Sequence, residues 1–217
     1  MRINKYVAQC TGMSRRAADK AITWGRVKVN DQPSSVGHDV QESDVVTLDG
    51  TPIKPATTFT TIILNKPAGY VVSRDGQGSA SIYELLPESM HRLKPVGRLD
   101  KASSGLLLLT DNGDLANQLT HPSYKKEKVY EIELYVPLTQ DNKRKIERGV
   151  ILEDGISKLK LSGKDTKWTV TMNEGRNRQI RRTFGELGLT IAKLHRVQFG
   201  DYILEGTAPG THRKVQT

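Results

Sequence analysis

Apolar residues recur at two different spacings along this chain, and the change from one to the other divides it. In "RINKYVAQ", Ile3, Tyr6 and Val7 lie three or four residues apart, which predicts a short amphipathic helix. "SRRAADKAITWGRVKVN" repeats the pattern: Ala17, Ala18, Ala21 and Ile22 share a helical face, Ser14 can cap it and Gly25 can close it. Val27 and Val29 then alternate with Arg26 and Lys28, a half-buried strand ending at the turn-prone "NDQP". "DVVTL" predicts a second strand that stops at Asp49-Gly50. Residues 1–50 therefore read as a small αα-ββ module. "DGTPIKPATTFT" has two prolines and several threonines but few large apolar side chains, so 51–59 reads as a linker. The larger domain is expected over 60–217.

From residue 60 strands dominate. "TIILNKPAGYVVS" predicts two short strands broken at Lys66-Pro67 and Gly69, and "GLLLLT" predicts a strand buried on both faces. A turn at Asp111-Asn112-Gly113 leads to a helix through "DLANQLT". "KVYEIELYV" alternates cleanly, with Tyr130, Ile132, Leu134 and Val136 on one side. "QDNKRKIERGV" is a short helix and "KWTVTMN" another strand. In "GRNRQIRRTFGELG" a glycine turn near Arg176 opens a helix with Ile180, Phe184 and Leu187 on its apolar face. The order of elements is not βαβαβ. The fold class expected is α+β: the small N-terminal module, plus a mixed, mainly antiparallel sheet flanked by helices around a central cleft.

The chain has 217 residues, enough for one good domain and a small one, and a formal charge of +9. The excess is uneven. Residues 1–30 hold Arg2, Lys5, Arg15, Arg16, Lys20, Arg26 and Lys28 against one acid, Asp19, the footprint of a face that meets a polyanion. Cys10 is the only cysteine, which excludes an intramolecular disulfide and a cysteine-held zinc. The five histidines are scattered without an H-x-H or H-E-x-x-H pair, so no metal site is expected. "MRINKYVAQC" lacks the apolar core of a secretory signal, and the run near Leu106 is too short to span a bilayer. A cytoplasmic protein, without membrane partners, is expected.

Candidate chemistry gathers in two places. Asp100 sits in "PVGRLDKASSGLLLLT", between Gly97 and Gly105, whose freedom lets the backbone bend just before the buried leucine run. A carboxylate fixed beside a core is costly unless it meets a cation, and a guanidinium partner would hold it ionised. Such a group can act as nucleophile or base. Arg178, Arg181 and Arg182 are spaced to project together from a helix, and positive charge at a helix N-terminus calls for a nearby anion. No G-x-S-x-G, P-loop lysine motif or dinucleotide fingerprint competes, and "DGQG" at 75–78 is too short for a phosphate loop.

"NKPAGYVVS", "VGRLDKASSGLLLLTDNGDLANQLTHPSYKKEKVYEI" and "EGRNRQIRR...KLHRVQFG" together resemble the RsuA/RluB/RluE/RluF family of bacterial ribosomal RNA pseudouridine synthases. Residues 2–50 look like the RNA-binding module named for ribosomal protein S-four. The resemblance implies an isomerase without cofactor or metal, with Asp100 as the essential aspartate, Tyr130 as the active-site tyrosine and Arg181 as the basic partner of the aspartate. Arg182 is left as the alternative partner. It further implies that Arg98 occupies the space of a flipped nucleotide, that Lys128 lies two residues before the tyrosine and that Ile180 packs near it. Leu99 and Ser103 complete the aspartate motif and Asn177 the arginine motif. RNA contact is expected from Arg98, Lys128, Arg176, Asn177, Arg178 and Arg182, together with the basic residues of 1–30 and Ser14. Ala102 stands where an acid is frequent, Ser103 where threonine is, Thr183 where methionine or leucine is, and Phe199 where isoleucine is.

Moving a base from nitrogen to carbon linkage needs a pocket that takes an unstacked nucleotide, an aromatic platform and phosphate-gripping cations. Whether Asp100 attacks the ribose or removes a ribose proton is left open by the residues. The expected partner is ribosomal RNA, with the large subunit favoured, and the expected state a monomer. Two alternatives remain open: a non-catalytic RNA-binding or ribosome-assembly factor, and a pseudouridine synthase acting on transfer RNA.

Overall fold

A computed structural model describes residues 1–76 and 78–216. Gln77, in the "DGQG" stretch, and Thr217, the last residue of the expected larger domain, lie outside the described residues. The chain divides into two compact units, one of residues 1–60 with 111–113, the other of 61–110 with 114–216.

In the first unit, helices α1 (Ile3–Thr11) and α2 (Arg15–Thr23) cover a small antiparallel sheet. The Ala17 amide donates to Ser14 Oγ at 3.1 Å, so Ser14 does cap α2. Ala17 itself is exposed, and the buried face is Ala18, Ala21 and Ile22. These pack with Ile3, Val7, Val27 and Val46 in one apolar cluster. The sheet has four strands rather than two: β1 (Val27–Val29), β2 (Gln32–Pro33), β3 (Val46–Leu48) and β4 (Thr51–Pro52), in the order β2-β1-β3-β4. The start of the expected linker is thus structured. Tyr6 Oη donates to the Ile53 carbonyl at 3.1 Å, and the Ile53 amide donates to Val46 O at 2.9 Å. Pro33 and Pro52 hid these strands from a reading by pattern, because proline is tolerated only at edges, where both lie.

The second unit is built on one large sheet. Its strands are β5 (Thr61–Lys66), β6 (Lys94–Val96), β7 (Ser104–Thr110), β8 (Lys128–Leu134), then, after a hairpin of β9 (Val150–Leu152) and β10 (Gly155–Ser157), β11 (Lys160–Lys164), β12 (Lys167–Met172), β13 (Ile191–Phe199), β14 (Tyr202–Ile203) and β15 (His212–Val215). The order is β11-β12-β8-β13-β7-β5-β15, with β14 on β13 and β6 on β7. Helices α3 (Gly113–Thr120), α4 (Gln140–Arg148) and α5 (Gln179–Gly185) accompany it. Every pairing in the sheet is antiparallel except β13 with β7, so the expected α+β class holds.

The leucine run of β7 is continuous because both faces of the strand are covered. Leu107 and Leu109 join Ile62, Leu64 and Phe184 in one core, while Leu106 and Leu108 join Ile63, Leu119 and Phe199 in another. All four leucines are fully buried, each contributing on the order of 1.5–3 kcal/mol. The second strand expected in "YVVS" does not form. Val71 makes a single parallel bridge to Ser81, and the Gly69 amide is turned to donate to the Lys101 carbonyl at 2.7 Å.

Candidate active site

Loop 97–103 joins β6 to β7 and carries Asp100. Gly97 has φ +70°, which opens the turn, and Leu99 plugs into the core between the exposed Arg98 and the half-buried Asp100. At the other end Gly105 has φ +103°, and a Cβ there would stand 2.2 Å from the Arg196 carbonyl oxygen. Only glycine lets β7 approach β13 this closely.

The loop is pinned from beneath by Lys66, a residue not singled out from the sequence. Its side chain is fully buried, and Nζ donates to the carbonyls of Ser103 at 2.7 Å, Pro67 at 3.0 Å and Asp100 at 3.1 Å. Burial pulls this ammonium down to about 8, against the opposing attraction of Asp100. The "NKPAG" segment is therefore the floor on which the loop rests.

The Asp100 side chain is one-third exposed, and its nearest cation is Arg178, with Nη1 to Oδ2 at 3.6 Å. The expected partner, Arg181, makes no ion pair among the described residues. Its Nη1 donates to Ile191 O at 3.1 Å and its Nη2 to Ala102 O at 3.2 Å, so it grips the backbone of the aspartate loop rather than the carboxylate. Burial and then Arg178 lower the Arg181 pKa, while Asp100 raises it. The rearrangement follows from a shorter helix than expected: α5 starts at Gln179, and Arg178 is its N-cap in the left-handed region, φ +45°. Arg178 thereby leaves the helical row and swings toward Asp100.

Arg182 and Arg176 are turned the other way. Arg182 holds Asp154, with Nη2 to Oδ2 at 2.7 Å, and its Nε donates to the Asn177 carbonyl at 2.8 Å. Arg176 Nη1 donates to Asp154 Oδ1 at 2.9 Å, and its Nη2 to the Ile156 carbonyl at 2.9 Å. The hydrogen bond from Arg182 is the main reason the Asp154 carboxyl lies below the usual carboxylate range. These two arginines clasp α5 to the tip of the β9–β10 hairpin, so the arginine cluster does not act as one free basic face. Beneath the clasp, Gln179 Nε2 donates to Ser157 Oγ at 3.1 Å and Thr183 Oγ1 to the same oxygen at 2.8 Å.

Asp100, Arg178 and Arg181 line one side of a cleft of about 1030 Å³, and Tyr130, Lys128 and Arg196 line it as well. Ile180 and Tyr130 lie in one core cluster. Ser103 is buried, with its Oγ lacking a partner, and lines the same cleft. Arg196 was missed by sequence reasoning, although "KLHRVQFG" contains it. It is 2% exposed, and its Nε donates to Leu106 O at 2.8 Å. Among the described residues no group of three or more His, Cys, Asp or Glu could hold a metal ion.

The basic residues of the first unit have varied surroundings. Arg26 is held bidentate by Asp49, Arg2 lies 3.7 Å from Asp39, and Arg15 donates to Asn4 at 3.1 Å. Arg16, Lys20 and Lys28 are exposed. Among the described residues no helix is long and apolar enough to cross a membrane.

A carboxylate on a pinned loop, set against an arginine and sharing with a phenol a cleft lined mostly by Lys and Arg among its charged residues, is a set of groups suited to an enzyme that acts on a polyanion. Comparison with known proteins makes the class definite. The family model described as RNA pseudouridylate synthase matches residues 60–186. An uncharacterised RNA pseudouridine synthase of Aquifex aeolicus is 38% identical, over 99% of this chain and 90% of its own. The ribosomal large subunit pseudouridine synthase B of Bacillus subtilis is 34% identical, over 99% of this chain and 91% of its own. A crystal structure of a pseudouridylate synthase superimposes with a TM-score of 0.73 at 30% identity, covering 100% of this chain and 96% of that one. The chain belongs to the RNA pseudouridylate synthase family. The match to a synthase B agrees with the RsuA/RluB/RluE/RluF branch that the motifs resemble.

Proposed function

We propose that this protein isomerises one uridine of ribosomal RNA to pseudouridine, with large-subunit RNA favoured because a 34% identical relative carries that name. The observation that carries the reading is Asp100, lashed by its loop, facing a cationic cleft beside Tyr130. The reaction is an isomerisation whose atoms balance without a co-reactant. The N1–C1′ bond breaks, the uracil turns, a C5–C1′ bond forms, the proton on C5 leaves and N1 gains one. Asp100 acts either as nucleophile at the ribose or as base toward it. Tyr130 offers the aromatic platform for the turned base, and Arg178 faces the Asp100 carboxylate at 3.6 Å. Arg181 holds the loop from behind, and Arg98, exposed at the cleft edge, fills the space left by the flipped nucleotide. The first unit serves as the S-four-type RNA-binding module through Arg16, Lys20 and Lys28. The protein works as a monomer in the cytoplasm.

The test is release of tritium from ribosomal RNA labelled at C5 of uridine. Wild type releases label, and Asp100→Asn releases none while still binding the RNA. If neither protein releases label, the chain is a non-catalytic RNA-binding factor and the proposal is wrong.

A further inference from the structure

We propose that Arg196 and Lys128 form a phosphate subsite in the cleft, which takes one phosphodiester of the RNA next to the flipped nucleotide. The inference deepens the reading above and rests on it.

Arg196 lies on β13, where its register partners are Tyr130 on β8 and Gly105 on β7, so it stands between the tyrosine strand and the aspartate strand. Its guanidinium carbon is 4.9 Å from the Phe199 ring centroid and 6.0 Å from that of Tyr130. Nε is satisfied by Leu106, but Nη2 is buried without any acceptor. Lys128 Nζ lies 4.9 Å from the same Phe199 centroid and donates only to the Lys126 carbonyl, at 3.1 Å. Two cations thus share one aromatic ring inside the cleft, and among the described residues neither has a carboxylate within 4.0 Å. Asp100 is turned to Arg178, and Glu174 to Arg176 and Gln179.

Proximity of these charges is costly. Burial, and then Arg196, pulls the Lys128 ammonium down to about 8. An uncharged acceptor such as a base carbonyl would satisfy one N–H and leave both charges in place. A phosphodiester brings one negative charge spread over two non-bridging oxygens, so each donor meets an acceptor and the repulsion between the cations is offset. It is also the only anion that RNA brings. The cation–π contacts to Phe199 and Tyr130 keep the guanidinium pre-set, so little rotamer freedom is lost on binding.

The experiment uses a ribosomal RNA fragment that the protein binds, made as a series in which a single phosphodiester is replaced by an uncharged methylphosphonate. Affinity and turnover are measured for wild type, Arg196→Met, Arg196→Lys and Lys128→Met. One position in the series should cost wild type about 10–100-fold. At that position Arg196→Met and Lys128→Met, already weakened on the native fragment, should lose no more than about threefold further, while Arg196→Lys keeps most of the penalty. Penalties that are the same in wild type and both methionine variants at every position overturn the subsite. Melting of Arg196→Met is checked first, because the side chain is buried; should that variant not fold, Lys128→Met carries the comparison alone. Wild-type turnover separates the two claims, since its absence sinks the proposed activity, whereas normal turnover with equal penalties sinks only the subsite.

Discussion

Replacing Lys66 by methionine would remove the buried ammonium beneath the aspartate loop while nearly preserving its volume. Of the three carbonyls it serves, that of Asp100 also accepts from the Ser103 amide at 3.0 Å, so those of Pro67 and Ser103 are the two that would be stranded. At about 2 kcal/mol for each stranded acceptor the loss is about 4 kcal/mol. Against this, the ammonium no longer has to be desolvated. Its displacement from 10.5 to about 8 returns about 3.5 kcal/mol at roughly 1.4 kcal/mol per unit. The two nearly cancel, so for a chain of this size the melting midpoint should move by no more than about 2 °C, and the perturbation falls on the position of the loop. The folded fraction at 25 °C stays near unity if total stability is about 5–15 kcal/mol, so a fall in kcat of about 100-fold would report the loop alone. Calorimetry and tritium release measure the two effects separately. Lys101→Ala, an exposed neighbour that bonds Ser79 Oγ at 3.0 Å, is the control and should change stability by less than about 0.5 kcal/mol. A Lys66→Met protein with wild-type turnover would refute the reasoning.

Two further outcomes follow from features already described. Lys66 and Lys128 both have depressed pKa values, about 8 when folded against 10.5 when unfolded, so the unfolded chain binds more protons between those limits. Stability should therefore rise with pH from about 8, opposed from about 9 by the Cys10 thiol that burial pushes up to about 11, until the phenols of Tyr83 and Tyr202, whose pKa values burial raises, start to reverse the trend above about 10. Urea midpoints at intervals across that window check the sign, and a monotonic fall would contradict it. Gly105→Ala adds a Cβ at 2.2 Å from a backbone oxygen at a φ of +103°, so the β7–β13 pairing must yield, costing at least about 3 kcal/mol. Loss of soluble protein or a midpoint lowered by several degrees is the expected result, and an unchanged midpoint would mean that the strands are not in this register.

What could be read from the sequence followed from regular spacing. The helices of the first unit, the buried leucine strand and the alternation around Tyr130 keep one period throughout, and Asp100 announced itself by its place between two glycines and a core strand. β13 did not, because it has register shifts between Ile191 and Lys193 and again between Arg196 and Gln198. Each shift breaks the two-residue period, so its burial pattern alternates nowhere for long. Arg196, between the shifts, looked like one more polar residue. The arginine cluster misled for a different reason: a helical row assumes that the helix has started, and Arg178 is still in the left-handed turn before it. That Arg176 and Arg182 are claimed by Asp154 depends on a hairpin more than twenty residues away, which no local pattern records. Lys66 was legible only as the place, before Pro67, where the strand breaks.

The single parallel pairing of β13 with β7 sets the order in which the enzyme can come into being. His195 meets Ser104 and Arg196 meets Gly105 across some ninety residues of intervening chain. Contacts of such range form slowly, after nearby hairpins have closed. During synthesis the acid and its loop leave the ribosome long before the strand that completes the pocket wall. A nascent chain therefore carries its reactive group with no finished chamber around it until β13 has been made.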